Sequence, residues 1–230
     1  MKIHVLGTRG EIKPSAPYHS KKSGVLIDDT FLLDCGDERF LQYHPKALLI
    51  THLHPDHAYF TRYGDTPTLS PTIYAPEPYK TMDIHVPMAP FNIGAYSITP
   101  IPTVHSVKVK SQAYLIEHKN KRILYTGDMI WIEKKYQPLL GTLDLVITEG
   151  SHMRAGGVVR RDVKTGAIFG HTGVPNLIHM FKPHTATILF VHFGSWFYKD
   201  IPKARAVFAH LAKEHDMNLI VGYDGLEITL

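Results

Sequence analysis

The sequence predicts an α/β protein with a layered sheet core, and three observations carry that prediction. Short apolar runs bounded by Gly, Pro, Asp and Asn recur from end to end, as buried strands do. Helical periodicity is confined to a few segments, which is the balance expected when helices cover sheets rather than each other. No low-complexity linker or short-period repeat interrupts the pattern, so residues 1–230 read as a single domain.

In chain order, strands are expected over 2–6, 23–28, 30–34, 47–51 and 72–75, then over 96–104, 112–118, 121–126, 143–148, 186–192, 217–221 and 226–230. Lys119-Asn120 separates 112–118 from 121–126 and reads as a hairpin turn. The best helix is 200–215, with Ile201, Ala204, Val207, Phe208 and Leu211 on one stripe. Asp200 is its N-cap candidate and Pro202 suits its first turn. A shorter helix runs from Pro175 to Phe181. The 65–103 stretch is proline-rich and predicts loops and edge strands.

Composition narrows the function classes. With 44% hydrophobic and 20% charged residues the chain can bury a proper core. One cysteine, Cys35, excludes a disulfide framework and a cysteine-rich zinc site; it reads as a small buried residue. The start, Met1 to Gly7, lacks a charged region followed by an apolar one, and no apolar run approaches the roughly 18 residues of a membrane span. A cytoplasmic protein with no membrane partner is expected. The net charge of +4 argues for an anionic partner only weakly. The unusual count is 16 histidines, which raises the question of whether they gather into a site.

They do so at residues 46–57. The apolar strand from Ala47 to Thr51 runs straight into His52-x-His54-x-Asp56-His57, four potential ligands within six residues. Alternate residues of an extended segment point the same way, so His52 and His54 can hold one metal while Asp56 and His57 face a second. Imidazole and carboxylate donors suit zinc, with manganese or iron as alternatives.

This motif after a strand resembles the signature of the metallo-β-lactamase fold, whose hydrolases bind two metals between two β-sheets. The rest of the chain follows that pattern in order. Thr103-Val104-His105-Ser106 closes a strand, Tyr125-Thr126-Gly127-Asp128 closes the next hairpin, and Val191-His192-Phe193-Gly194 closes another strand. Leu6-Gly7-Thr8 and Leu33-Asp34-Cys35-Gly36 also look like this fold. The resemblance covers essentially the whole chain. It implies a four-layer αβ/βα sandwich with a dinuclear metal site at the sheet edges. One divalent ion would have His52, His54 and His105, the other Asp56, His57 and His192, with Asp128 as the bridge. Alone, His105 reads as a core histidine and Asp128 as a turn residue. Asp34 is either an acceptor that orients a ligand histidine or a strand-end turn.

The ligands do not choose between acyl and phosphoryl hydrolysis. Leu145 to Glu149 ends a strand with an acid, and Gly170-His171-Thr172 follows. This looks like the ribonuclease Z branch and its phosphodiesterase relatives. The resemblance implies a Glu149–His171 pair in which the carboxylate keeps a proton on the imidazole for the departing oxygen. The alternative places His171 at the surface or as a cap of the 175–181 helix. Arg154, Arg160, Arg161 and Lys164 form a basic loop that either attracts phosphate or is merely solvated.

Other features depart from that branch. The arginine it carries after the last ligand is absent, with Lys199 as a less bidentate substitute. The 22 residues between His105 and Asp128 leave no room for its tRNA-gripping arm. Trp196, Phe197 and Tyr198 are either base-stacking or core aromatics.

The reading is therefore a dinuclear metal-dependent phosphodiesterase. A metal-bridging hydroxide attacks phosphorus, Asp56 orients it, and His171 protonates the leaving group. The expected partner is a small phosphodiester or a short nucleic-acid end, and a homodimer is compatible. The alternatives are an acyl hydrolase on the same metals (a lactonase, thioesterase or β-lactamase) and a non-hydrolytic binding protein that keeps the fold.

Overall fold

The computed structural model describes residues 1–64 and 66–230; Asp65, which opens the proline-rich stretch, lies outside the described residues. Two sheets face each other. The first has the order β17-β1-β2-β3-β4-β5-β6, built from β1 (Lys2–Gly7), β2 (Gly24–Ile27), β3 (Phe31–Leu33), β4 (Ala47–Leu49), β5 (Thr72–Tyr74), β6 (Ile84–His85) and β17 (Glu227–Thr229). The second has the order β11-β8-β9-β10-β12-β15-β16, with β7 (Phe91–Ile93) also on β8. Its strands are β8 (Tyr96–Val104), β9 (Gln112–His118), β10 (Lys121–Tyr125), β11 (Trp131–Ile132), β12 (Leu145–Gly150), β15 (Thr187–Phe193) and β16 (Asn218–Val221). A separate hairpin pairs β13 (Val158–Arg161) with β14 (Ile168–His171).

The alternation of strand side chains builds the layers. Ile123 and Tyr125 of β10, Leu145 and Ile147 of β12, and Leu189 and Val191 of β15 point inward and meet Ile3, Val5, Val25, Ile27 and Phe31 of the first sheet. The intervening Leu124, Val146, Ile188 and Phe190 point outward, onto α1 (Val174–Phe181) and α2 (Ile201–His215). These strands are buried on both faces, which is why they read as unbroken apolar runs. The outer face of the first sheet, with Leu6, Leu32 and Leu48, is covered by the turns at Glu38–Tyr43 and Tyr59–Thr61, through Phe40 and Phe60.

Helix α2 follows its sequence signals. The Asp200 side chain accepts from the Lys203 amide at 2.9 Å, Pro202 sits in the first turn, and Asp216 ends the helix in the left-handed region at φ 53°. Ala204 and Phe208 are its buried residues, and truncating a fully buried Phe such as Phe208 costs about 3–5 kcal/mol. Pro100 and Pro102 are tolerated inside β8 because β7 pairs only with 96–98 and β11 only with 103–104. Between those segments β8 has β9 on one side alone, so it behaves as an edge strand.

All twelve expected strands fall within two residues of an observed one, and both helices form. The basic segment 154–164 differs from the expected loop: part of it is β13. Its β-branched Val158 and Val159 belong to a short hairpin whose far strand carries Ile168 and Phe169, a pattern hidden among the charges. Among the described residues no helix is long and apolar enough to cross a membrane.

The topology gathers strand ends. β10, β12 and β15 are mutually parallel. β8 runs the same way as β10, because both are antiparallel to β9. Their C-terminal ends therefore open on one edge, where ligand sites form in sheets of this kind. The parallel pair β3–β4 of the first sheet delivers Asp34 and Thr51 to the same place, with the Thr51 amide donating to Asp34 Oδ1 at 2.7 Å.

Candidate metal centre

Each candidate side chain reaches the site by a local device. His52 to His57 follow β4, and the amides of His57 and Ala58 close back on the His54 carbonyl at 3.0 and 2.8 Å. This tight turn brings four donors to one side. Asp128 follows Gly127, whose φ of +58° favours glycine; a Cβ there would stand 2.4 Å from Thr51 Oγ1. His192 is a bulge in β15: Glu149 pairs with Val191 and Gly150 with Phe193, leaving His192 unpaired at φ +50°. The bulge re-aims its ring toward the first sheet, and strained backbone of this kind costs on the order of 1–3 kcal/mol.

Four histidines have one ring nitrogen held by the protein, which directs the other inward. His57 Nδ1 donates to Asp34 Oδ2 at 2.7 Å. His105 Nδ1 donates to the Gly170 carbonyl at 3.0 Å. His52 Nδ1 meets Thr51 Oγ1 at 3.1 Å, and His192 Nδ1 meets Ser151 Oγ at 2.9 Å. Outer partners of this type fix the tautomer and orientation of ligand imidazoles. The inward atoms converge: His105 Nε2 is 3.3 Å from His54 Nδ1, His57 Nε2 is 3.3 Å from Asp128 Oδ2, and His192 Nε2 is 2.9 Å from Asp56 Oδ2.

These donors fit metal ions. Among the described residues, His52 Nε2, His57 Nε2 and Asp128 Oδ1 are buried with no hydrogen-bond partner, a costly arrangement unless a cation uses them. Donor atoms of His52, His54 and His105 lie within 4.8 Å of one another, as do those of Asp56, His57 and His192; Asp128 groups with His52 and His57. Burial, followed by neighbouring imidazoles, pushes His54 down to about 4, so its lone pair is free at neutral pH. Burial also pushes His52 well below its ordinary value. Burial opposes charge on His57 too, but Asp128, Asp34 and Asp56 outweigh it and raise that histidine.

Asp34 acts as the hub behind the histidines. Its buried carboxylate accepts from His57, from the Thr51 amide and hydroxyl, and from the Tyr125 hydroxyl at 2.8 Å. Glu149 and His171 form the second expected pair, with His171 Nδ1 2.7 Å from Glu149 Oε2, while Glu149 Oε1 accepts from the Met129 amide at 2.7 Å. Burial disfavours the imidazolium of His171, but Glu149, then Asp128 and Asp56, raise it to about 9. The hairpin places it: His171 ends β14, and Gly170 is bonded to His105 through both its amide and its carbonyl.

The metal donors open into a cavity of about 400 Å³ lined by His54, Asp56, Asp128, His171 and His192 together with Glu11, Ser151, His152 and Trp196. Gly10 closes one wall, where a Cβ would stand 3.0 Å from His192 Cε1. The nine residues singled out in the sequence thus lie in one cluster. Ser151, Tyr125, Gly10, Glu11 and His152 carry no such signal, since only the fold brings them there. Arg154, Arg160, Arg161, Lys164 and Lys199 do not line the cavity. Phe197 is core, packed on Phe193 with ring centroids 4.0 Å apart, while the Trp196 indole donates to the Gly150 carbonyl at 2.8 Å and forms part of the wall.

Residues 32–193 match the family model described as the Beta-lactamase superfamily domain. The chain belongs to that superfamily. As a β-lactamase superfamily member it has the metallo-β-lactamase fold and the His/Asp cluster of a metal-dependent hydrolase. No curated protein matches the sequence significantly. Solved structures share the fold. The metallo-β-lactamase fold protein YhfI from Bacillus subtilis is 18% identical, with a TM-score of 0.71 over 99% of this chain and 98% of its own. Human tRNase Z, short form, is 17% identical, with a TM-score of 0.66 over 100% and 99%. A diphosphatase of the PhnP family is 15% identical, with a TM-score of 0.68 over 100% and 97%.

Proposed function

We propose that this protein is a dinuclear metal-dependent phosphodiesterase acting on a small phosphodiester or a short nucleic-acid end. The observation that carries the reading is the Glu149–His171 pair, bonded at 2.7 Å on the wall of the cavity that holds the metal donors. A site that hydrolyses esters with good leaving groups has no use for a partly buried acid whose proton is retained near neutral pH. An alkoxide leaving group needs one.

His52, His54 and His105 would hold one cation and Asp56, His57 and His192 the other, with Asp128 shared, because two cations about 3.5–4 Å apart need an anion between them. Zinc suits the donor set best, with manganese or iron as alternatives. When bound, such cations lower the pKa of water toward neutrality and neutralise charge on phosphoryl oxygens.

The protein's own residues do the rest. Asp56, anchored by His192, orients the attacking oxygen. Asp34 holds His57 in the tautomer whose Nε2 faces inward. His171 donates its proton to the departing oxygen, and Glu149 stabilises the cation before transfer. Two of the similar structures are named as a tRNase and a diphosphatase, which supports phosphorus as the electrophile. The 400 Å³ cavity suits a small substrate.

The test is turnover by zinc- or manganese-loaded protein of bis-p-nitrophenyl phosphate and cyclic nucleotides against a lactone, a thioester and a cephalosporin. Phosphodiester hydrolysis is expected. Activity confined to the carboxylic esters and amides would replace this reading with an acyl hydrolase.

A further inference from the structure

Among the described residues no lysine or arginine lines the metal cavity, yet two cations stand directly behind one of its walls. That wall is Glu11. Arg62 grips its carboxylate with both arms, Nη1 to Oε1 at 3.2 Å and Nη2 to Oε2 at 2.7 Å. Lys22 Nζ lies 3.5 Å from Oε1. Glu11 is next in sequence to Gly10, the residue packed on the His192 ring, so this ion cluster borders the metal donors.

We propose that Arg62 and Lys22 form an anion subsite of this cavity, occupied by Glu11 as an internal stand-in for a terminal phosphate on the substrate. The inference rests on the phosphodiester reading for the bond that is cleaved, and adds a second, distal phosphate to the substrate class.

The two sides of the cluster differ in how firmly they are held. Lys22 is anchored through its ammonium, and Arg62 is fixed through its backbone. Lys22 is only 9% exposed and donates to the Gly10 carbonyl at 2.7 Å. Arg62 closes the turn at Tyr59–Thr61, its amide donating to the Tyr59 carbonyl at 3.0 Å. The acid is not anchored. Glu11 sits on a bend, its side chain is 49% exposed, and among the described residues its carboxylate meets no donor other than these two cations. The Arg62–Glu11 pair is partly exposed, and pairs of that kind contribute little net stability and are screened by salt. The carboxylate can therefore swing into solvent at small cost. A phosphate arriving in its place offers more charge and three oxygens to the same guanidinium fork and ammonium, the geometry that favours bidentate arginine recognition. Two cations against one acid leave a net positive charge while Glu11 is in place, and a larger one when it leaves.

The test compares two p-nitrophenyl nucleoside phosphodiesters, alike except that one bears a terminal phosphate, on the metal-loaded protein. Glu11→Gln is nearly isosteric and sits away from the core. It should shift the ratio of kcat/KM about tenfold toward the phosphate-bearing ester, the size of one added charge-assisted hydrogen bond. The Glu11→Gln/Arg62→Ala double variant should lose that shift. Calorimetry with inorganic pyrophosphate supplies a readout that needs no turnover: Glu11→Gln should tighten Kd about tenfold and the double variant should reverse it. An unchanged ratio and Kd in Glu11→Gln, or increases that survive Arg62→Ala, would overturn the subsite. If neither ester is cleaved, the phosphodiester reading fails on its own, and the pyrophosphate Kd still decides the subsite.

Discussion

Asp34→Asn is the perturbation that separates the scaffold from the metal chemistry. The carboxylate is fully buried and accepts from four groups: the Thr51 amide at 2.7 Å and hydroxyl at 3.0 Å, His57 Nδ1 at 2.7 Å, and the Tyr125 hydroxyl at 2.8 Å. Asparagine keeps the shape but turns one acceptor into a donor. If the amide nitrogen takes the place of Oδ1, it meets the Thr51 N–H. If it takes the place of Oδ2, it meets His57 and Tyr125. Either way a buried donor loses its acceptor, at a cost of about 1–3 kcal/mol. For a chain of this size that lowers Tm by roughly 2–4 °C per kcal/mol. The larger consequence falls on His57, which loses the charge that orients it. Metal affinity should weaken about 10–100-fold, the usual effect of removing an outer partner of a ligand histidine. Competition with a chromophoric chelator measures it, with Asp29→Asn, at an exposed position, as the control. A folded Asp34→Asn protein with unaltered metal affinity would refute the assignment of His57 as an oriented ligand.

Three further outcomes follow from the same geometry. With a nucleoside leaving group, activity should need protonated His171 and fall as pH rises through about 9. Glu149→Gln removes the largest raising charge and leaves burial opposed by Asp128 and Asp56 alone, so the alkaline limb should move down toward the ordinary histidine range; a limb at the ordinary value would mean a loss of about 30-fold at pH 8, read from a pH–rate profile, and an unmoved limb would remove Glu149 from the role. Gly127→Ala places a Cβ 2.4 Å from Thr51 Oγ1 at a backbone φ of +58°, and denaturant unfolding should show a loss of at least about 2 kcal/mol. Cys35 is fully buried, and burial followed by Asp37 and Asp34 pushes its thiol up, so a thiol reagent should react only after denaturation; rapid labelling of native protein would contradict its place in the core.

Much of this is legible in the sequence because the strongest signals are local. The strands buried on both faces announce themselves by unbroken apolar runs, such as Ile188 to Val191 of β15, and their ends carry the chemistry. His52-x-His54-x-Asp56-His57 is readable because one tight turn supplies four donors. Asp34 can be guessed from its strand end, but its hub of Thr51, His57 and Tyr125 spans 91 residues of sequence and only the fold assembles it. The β13–β14 hairpin is hard to see because arginines at 160 and 161 mask its β-branched pattern, although it positions both His105 and His171. The bulge at His192 and the approach of Gly10 leave no local signature, since each depends on a partner strand. Glu11 reads as an ordinary surface acid until Arg62 is brought beside it.

The central claim is that His171 supplies a proton to a poor leaving group at a dinuclear centre. It is tested most directly by comparing His171→Ala with the parent protein on two phosphodiesters, one releasing p-nitrophenolate and one releasing a nucleoside alkoxide, with bound metal quantified in both proteins. The account predicts unchanged metal content, less than about a tenfold loss with p-nitrophenolate, and a loss of about 10²–10⁴ with the alkoxide. Equal losses on both esters would contradict it.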